Sequence, residues 1–202
     1  MIGIIDYGMG NIHSVQKALQ SMGAETVVTN RPSDIVTYEK IVLPGVGAFD
    51  DAVLELEKRA LVKAIKDAVG NNKIFLGICL GMQLLFPESE EARDTKGLNL
   101  IKGAVRKFAV KKGFKVPHMG WNQLNVRNRK CPILKGVPDK SYVYFCHSYY
   151  PAVLEKEIIA ATCDYITDFT SLLWKENIYG VQFHPEKSQG VGLKILRNFV
   201  EL

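Results

Sequence analysis

Apolar residues fall into two regimes along the chain, and the change comes near Phe86. Before it, short apolar runs alternate with stretches of helical period. Ile2–Ile5 is a largely apolar run of strand length. Asp6-Tyr7-Gly8-Met9-Gly10-Asn11 follows, rich in turn formers, and Asn11 is placed to cap a helix. Ile12, Val15, Leu19 and Met22 then recur at helical spacing, with Gly23 positioned to end it. Residues 25–29 read as a second strand and 40–43 as a third, which runs into Pro44-Gly45-Val46-Gly47-Ala48-Phe49. Residues 50–69 read as one helix with Val53, Leu54, Leu61, Ala64, Ile65 and Ala68 on its buried face, stopped by Gly70. The run Ile74–Cys79 is apolar enough for a strand buried on both faces, and the residues after Gly81 suit a short helix. This strand–helix alternation predicts a parallel sheet with right-handed crossovers.

After Phe86 the pattern changes. Residues 87–95 form an acidic loop containing Glu88, Glu90 and Glu91. From Gly97 to Val181 there is no long helical period, only short strand-like runs punctuated by Gly and Pro: 105–110, 123–126, 142–146, 158–162, 171–174 and 179–183. A closing helix begins at about Val191, with Leu193, Leu196, Phe199 and Val200 facing inward. No repeat, linker or low-complexity segment interrupts the chain. The expectation is one compact α/β domain over residues 1–202: a parallel central sheet flanked by helices, with an antiparallel or mixed second half.

Composition narrows the function classes. The chain of 202 residues is long enough for one good core, so a disulfide framework is not needed. Cys79, Cys131, Cys146 and Cys163 are widely spaced and form no C-x-x-C pair, which removes the usual zinc and redox patterns and points to a reducing, cytoplasmic setting. No segment has the apolar length of a membrane span, and Met-Ile-Gly-Ile-Ile-Asp reads as a first strand rather than a signal peptide. A net charge of +5 is mild, and its concentration in residues 106–115 and 127–130 fits a solvated edge or a site for an anionic partner. No nucleic-acid motif is present. Gly8 and Gly10 suggest a dinucleotide loop, but the third glycine of G-x-G-x-x-G falls on His13, which excludes it.

Three segments carry candidate chemistry. Gly77-Ile78-Cys79-Leu80-Gly81 has the form of a nucleophile elbow with sulfur in place of the hydroxyl. Such a strand-to-helix turn pushes the central side chain out at the carboxyl end of a sheet, with a helix amino terminus beneath it to favour thiolate. A small hydrophobe closing a core strand is the other reading of Cys79. Pro44-Gly45-Val46-Gly47 offers backbone N–H groups to an anion or is simply a tight turn. In Gly180-Val181-Gln182-Phe183-His184-Pro185-Glu186, extended chain lets Glu186 reach the ring of His184 and fix its tautomer. Metal binding is another use for Cys, His and Glu together, but no zinc spacing is present. These parts suit acyl transfer: Cys79 as nucleophile, His184 as base and Glu186 as its orienter. The N–H of Leu80 and the Gly45-Val46-Gly47 loop would serve the oxyanion.

In this order the three segments resemble the signatures of class I, triad-type glutamine amidotransferases, and they span most of the chain. Ile5-Asp6-Tyr7-Gly8-Met9-Gly10-Asn11, Pro117-His118-Met119-Gly120-Trp121-Asn122, Tyr144-Phe145-Cys146-His147-Ser148-Tyr149 and Lys187-Ser188 are similar to the branch of that family that forms the glutaminase subunits of imidazole glycerol phosphate synthases. The resemblance implies a flavodoxin-like fold and a triad of Cys79, His184 and Glu186. It implies a glutamine pocket of Gln83, Glu91, His147, Ser148 and Tyr149. Glu91 also makes physical sense as partner to the substrate ammonium. It further implies a heterodimer with a (βα)₈-barrel cyclase, which receives ammonia and makes imidazole glycerol phosphate and aminoimidazole carboxamide ribotide in histidine biosynthesis. Asn11, Ser14, Pro117, His118, Met119, Trp121, Tyr144 and Lys187 would face that partner, and Cys146 would be a buried bystander. The Gly45-Val46-Gly47 loop is expected to present its N–H only when the partner is loaded. No cofactor, metal, nucleic acid or membrane is expected. Rival readings are a paralogue feeding amidine formation on a surface sugar, a Cys-His peptidase of similar topology, and a catalytically dead regulatory protein.

Overall fold

Four apolar runs separated by helices build a parallel half-sheet. Strand β1 (Ile2–Ile5) lies between β2 (Thr26–Thr29) and β3 (Lys40–Gly45), and β4 (Ile74–Cys79) pairs beyond β3. Helices α1 (Ile12–Gln20), α2 (Pro32–Ile35), α3 (Phe49–Lys58) and α4 (Leu61–Gly70) make the connections. Because side chains alternate along each strand, Ile4, Val42, Leu76 and Ile78 feed a core on one face, and Ile5, Ile41, Leu43 and Phe75 feed a second core on the other. Helix α1 covers the first face, and α3 with α4 covers the second. The computed structural model describes residues 1–202.

The second half adds α5 (Leu80–Gln83), β5 (Glu88–Ser89), β6 (Gly103–Lys107), β7 (His118–Gln123), β8 (Asn125–Val126), β9 (Tyr142–His147) and β10 (Tyr149–Val153). It ends with β11 (Ile159–Tyr165), β12 (Thr167–Lys175), β13 (Ile178–Val181) and α6 (Gln189–Val200). The main sheet has eight strands in the order β2-β1-β3-β4-β13-β12-β11-β8. Strand β13 enters parallel beside β4, whereas β12, β11 and β8 continue antiparallel. Two small sheets, β10-β6-β5 and β7-β9, stand apart from it. The expected parallel half with a mixed addition is therefore the architecture observed.

Several expectations need correction. The single helix over 50–69 is two helices, broken at Ala60 with φ +56°. The reason lies in the phase of the apolar positions. Phe49, Ala52, Val53 and Leu56 share one face, but the next buried residue is Leu61, five positions on. A continuous helix would turn that face away from the sheet, and the left-handed residue resets it. Leu54 lies off the stripe and is 53% exposed, and Leu193 on α6 is likewise exposed. The strand expected at 105–110 stops at Lys107, leaving Val110 in solvent, although Phe108 is buried. Strand β10 has no clear signature in the sequence because Pro151 interrupts it. It is an edge strand, where the missing N–H costs no ladder bond.

Candidate active site

Strand β4 delivers Cys79 to the carboxyl end of the main sheet in an uncommon backbone state, φ +55° and ψ −110°. A non-glycine residue held there carries strain of about 1–3 kcal/mol, which persists where surrounding structure enforces it. The enforcement comes from the flanking glycines. A Cβ on Gly81 would stand 1.8 Å from the Leu43 carbonyl oxygen, and one on Gly77 would stand 2.5 Å from that of Gly81. The turn after the sulfur is only as tight as it is because nothing projects from either position. Helix α5 has a single turn, so the aid expected from a helix amino terminus is small. The polar neighbours of Sγ are instead local. Gln182 Nε2 donates to it at 3.7 Å, and the Cys146 carbonyl oxygen lies 3.9 Å away. Cys79 borders a cavity of about 330 Å³.

The imidazole arrives on the neighbouring strand. Val181 of β13 pairs with Ile78, and the chain runs on past Gln182 to His184, which lines the same cavity. His184 Nδ1 lies 2.9 Å from Glu186 Oε1, with the two side chains 4% and 1% exposed. The main chain of His184 is clamped too: its N–H donates to the Tyr144 carbonyl at 2.9 Å, and Ser188 Oγ donates to its carbonyl at 2.6 Å. Burial alone would lower the pKa of this ring, but its hydrogen bonds to Cys79 and Glu186, with their electrostatic pull, outweigh it and raise the pKa to about 10. A raised folded-state pKa means that this pairing stabilises the fold fully below pH 6.5, and that the contribution fades as pH climbs towards about 10. Cys79→Ala removes one of these two partners, so the ring should titrate at lower pH in that variant. NMR titration of the His184 ring reads this directly, and an unchanged midpoint would show that the sulfur does not act on the ring.

The remaining expected residues divide by what their side chains already do. Val46, Gly47 and Leu80 border the cavity, but Gly45 does not. Gly45 pairs with Cys79 across β3 and β4, and a Cβ there would stand 2.4 Å from the Tyr7 hydroxyl. Its place in the motif is packing. Gly47, at φ +103°, carries the turn that brings the loop to the cavity. Gln83, Glu91, His147, Ser148 and Tyr149 all line the cavity wall. Glu91 accepts from the Phe49 N–H at 2.9 Å, and burial pushes its pKa up. The amide of Gln83 is spent on the Tyr149 carbonyl at 2.9 Å and on Gln182 Oε1 at 3.0 Å. His147 is similarly engaged with protein groups.

Of the residues expected to face a partner, Pro117, Tyr144 and Lys187 lie at the cavity. Met119 and Trp121 are exposed at 62% and 45%, and Trp121 pairs with Tyr144 across β7 and β9. Asn11 Oδ1 caps α1 by accepting from the Ser14 N–H at 3.3 Å. His118 does not face outward. Alternation along β7 turns it inward opposite His147, where it is 3% exposed. Cys146 is not a buried bystander either. Val143 and Phe145 take the core side of β9, which leaves Tyr144 and Cys146 on the other side, at the cavity that His147 also borders. Gln182 is the site residue that the sequence motifs do not single out. The chain bends at Gln182 and Phe183 after β13 ends at Val181, so no simple strand alternation from His184 places it there. No group of three or more His, Cys, Asp or Glu is arranged to hold a metal, and no helix is long and apolar enough to cross a membrane.

Solved structures share this fold. A structure described as a glutamine amidotransferase superposes with a TM-score of 0.78 at 17% identity, covering 99% of this chain and 97% of that one. The structure of PurLQS from Thermotoga maritima gives 0.76 at 19% identity, covering 99% and 97%. Sequence relatives lie much nearer. The imidazole glycerol phosphate synthase subunit HisH of Geobacter sulfurreducens is 50% identical over 206 residues, covering 100% of this chain and 98% of its own length. That of Desulfitobacterium hafniense strain DCB-2 is 48% identical over 199 residues, covering 98% and 93%. The family model for glutamine amidotransferase class-I matches residues 3–202. With a match over nearly its whole length, the chain belongs to the class-I glutamine amidotransferase family.

Proposed function

We propose that the chain is the glutaminase subunit of an imidazole glycerol phosphate synthase, forming one domain over residues 1–202. The ionised Cys79 sulfur attacks the side-chain amide carbon of glutamine. The resulting oxyanion takes N–H groups from Leu80 and from the Val46–Gly47 segment. Imidazolium His184, steadied by Glu186, gives its proton to the departing ammonia and leaves a γ-glutamyl thioester. Water then attacks the thioester, His184 accepts its proton, and glutamate leaves as the thiolate is restored. Glu91 binds the substrate ammonium, in the cavity that Ser148 and Tyr149 also line. The observation that carries this reading is a sulfur on a strained elbow sharing one cavity with a carboxylate-bound imidazole.

Ammonia protonates in water and ceases to be a nucleophile, so it must pass straight to its acceptor. The exposed Met119 and Trp121, with Tyr142 and Tyr144 on the paired strand, form an aromatic face beside the cavity mouth. A (βα)₈-barrel cyclase docks there, in the cytoplasm, and its loaded state brings the Val46–Gly47 N–H into place. The test is glutamate release by the chain alone and by the chain co-purified with a barrel cyclase. Adding the cyclase with its ligand should raise turnover about tenfold or more. Equal turnover in both states would refute the partner switch. Labelling of Cys79 only by peptide electrophiles, and not by diazo-oxo-norleucine, would favour a peptidase.

A further inference from the structure

A run of hydrogen-bonded polar groups extends from strand β7 into the cavity wall, and one atom dictates all its protons. The Tyr149 carbonyl can only accept, so His147 Nδ1, 2.8 Å away, carries the ring proton. Burial holds that ring neutral, its pKa pushed down to about 3, which leaves Nε2 bare. His118 Nδ1, 3.0 Å from it, must therefore donate. Burial pushes the His118 ring down to about 4, so its Nε2 accepts in turn from Asn122 Nδ2 at 3.3 Å. The second Nδ2 proton goes to the Asp164 carbonyl at 3.0 Å, and Oδ1 accepts from the Gln123 N–H at 2.8 Å. The run continues at its other end. Gln83 Nε2 donates to the same Tyr149 oxygen and to Gln182 Oε1, and Gln182 Nε2 donates to the Cys79 sulfur.

The run starts on β7, whose opposite side exposes Met119 and Trp121. It passes the Ser148 corner between β9 and β10, and it ends at the nucleophile. The His118 ring is held between Phe145 and Tyr165, with centroids at 4.7 and 3.9 Å, so it is fixed by stacking as well as by hydrogen bonds.

We propose that Asn122 and His118 are positioning residues for glutamine turnover. Through His147, Tyr149, Gln83 and Gln182 they tie the partner-facing strand to the substrate corner and to the sulfur. Neither residue touches substrate. Their effect is to fix where the Tyr149 carbonyl and the Gln182 amide stand, and it rests on the glutaminase reading above.

The test uses the complex with the barrel cyclase. His118→Phe keeps the aromatic stack but removes both hydrogen bonds. It should raise the KM for glutamine about tenfold, with an equal fall in the rate of Cys79 labelling by diazo-oxo-norleucine. Cyclisation driven by added ammonium salt, and affinity for the cyclase, should stay within about twofold. His118→Asn restores a donor near Nδ1 and should recover most of the loss. Asn122→Ala, nearer the surface, should move the same quantities the same way by less, and it decides the matter if His118→Phe does not fold. A KM within twofold of the parent in both variants would overturn the relay. So would a parallel loss of ammonia-driven activity, which marks general damage. If the parent complex itself releases no glutamate, the glutaminase reading falls and the relay falls with it.

Discussion

Cys79→Ala should cut glutamine-driven product formation by about 10⁴-fold or more while leaving ammonia-driven cyclisation in the complex intact. The size follows from how the site is made. In the proposed mechanism all the chemistry on glutamine passes through one sulfur, and no other nucleophile is presented where it stands. Cys146 borders the same cavity, but on strand β9 and without an imidazole fixed by a carboxylate. The substitution is also mild for the fold. It keeps a Cβ in the strained position and removes only the sulfur, so the packing is preserved and the fold loses only the share of the His184 pairing that the sulfur supplied. The measurement is paired: glutamate release and product formation with glutamine, then product formation with ammonium salt. Glutamine-driven turnover within tenfold of the parent would remove Cys79 from the mechanism, and loss of both activities would mean that the variant had disturbed the complex instead.

Glu186→Gln should lower glutamine-driven turnover by about 10³-fold. Glu186 is almost wholly buried, with Oε1 against His184 Nδ1 and Oε2 without a hydrogen-bond partner. An amide at that position cannot support an imidazolium, and its N–H turned towards Nδ1 selects the wrong tautomer. The His184 cation, held to a pKa of about 10 by its bonds to Cys79 and Glu186, then loses one of these supports. Its titration should move to lower pH, and the proton offered to the leaving ammonia should run out earlier as pH rises. A pH–rate profile of glutamate release reads both effects. A variant with near-parent turnover and an unmoved alkaline limb would show that the carboxylate plays no part in holding the proton.

The sheet and the three motifs are legible in the sequence because each rests on a local rule. Runs with helices between them give a parallel sheet, and Gly-x-Cys-x-Gly needs only its own two glycines to make the elbow. What stays illegible depends on distant residues. Residues 50–69 keep helical period on both sides of Ala60, and only the position of the sheet reveals that the phase must be reset there. His118 sits in a segment whose neighbours Met119 and Trp121 do face out, so its inward turn follows only once 118–123 is known to be a strand paired with β9. The cavity-side position of Cys146 follows from that same pairing. Gln182 is the exception. It lies inside the motif around His184, yet the chain bends there and its amide has meaning only beside Cys79 and Gln83.

Strand β13 follows twelve other strands in chain order, yet it occupies the middle of the main sheet, between β4 and β12. Until that slot is filled, the thiol has no base beside it. In the proposed mechanism, a chain whose residues 178–186 have not yet taken that place lacks the base that glutamine hydrolysis needs. The reaction proposed for the site therefore waits on the insertion of one late strand between two earlier placed ones.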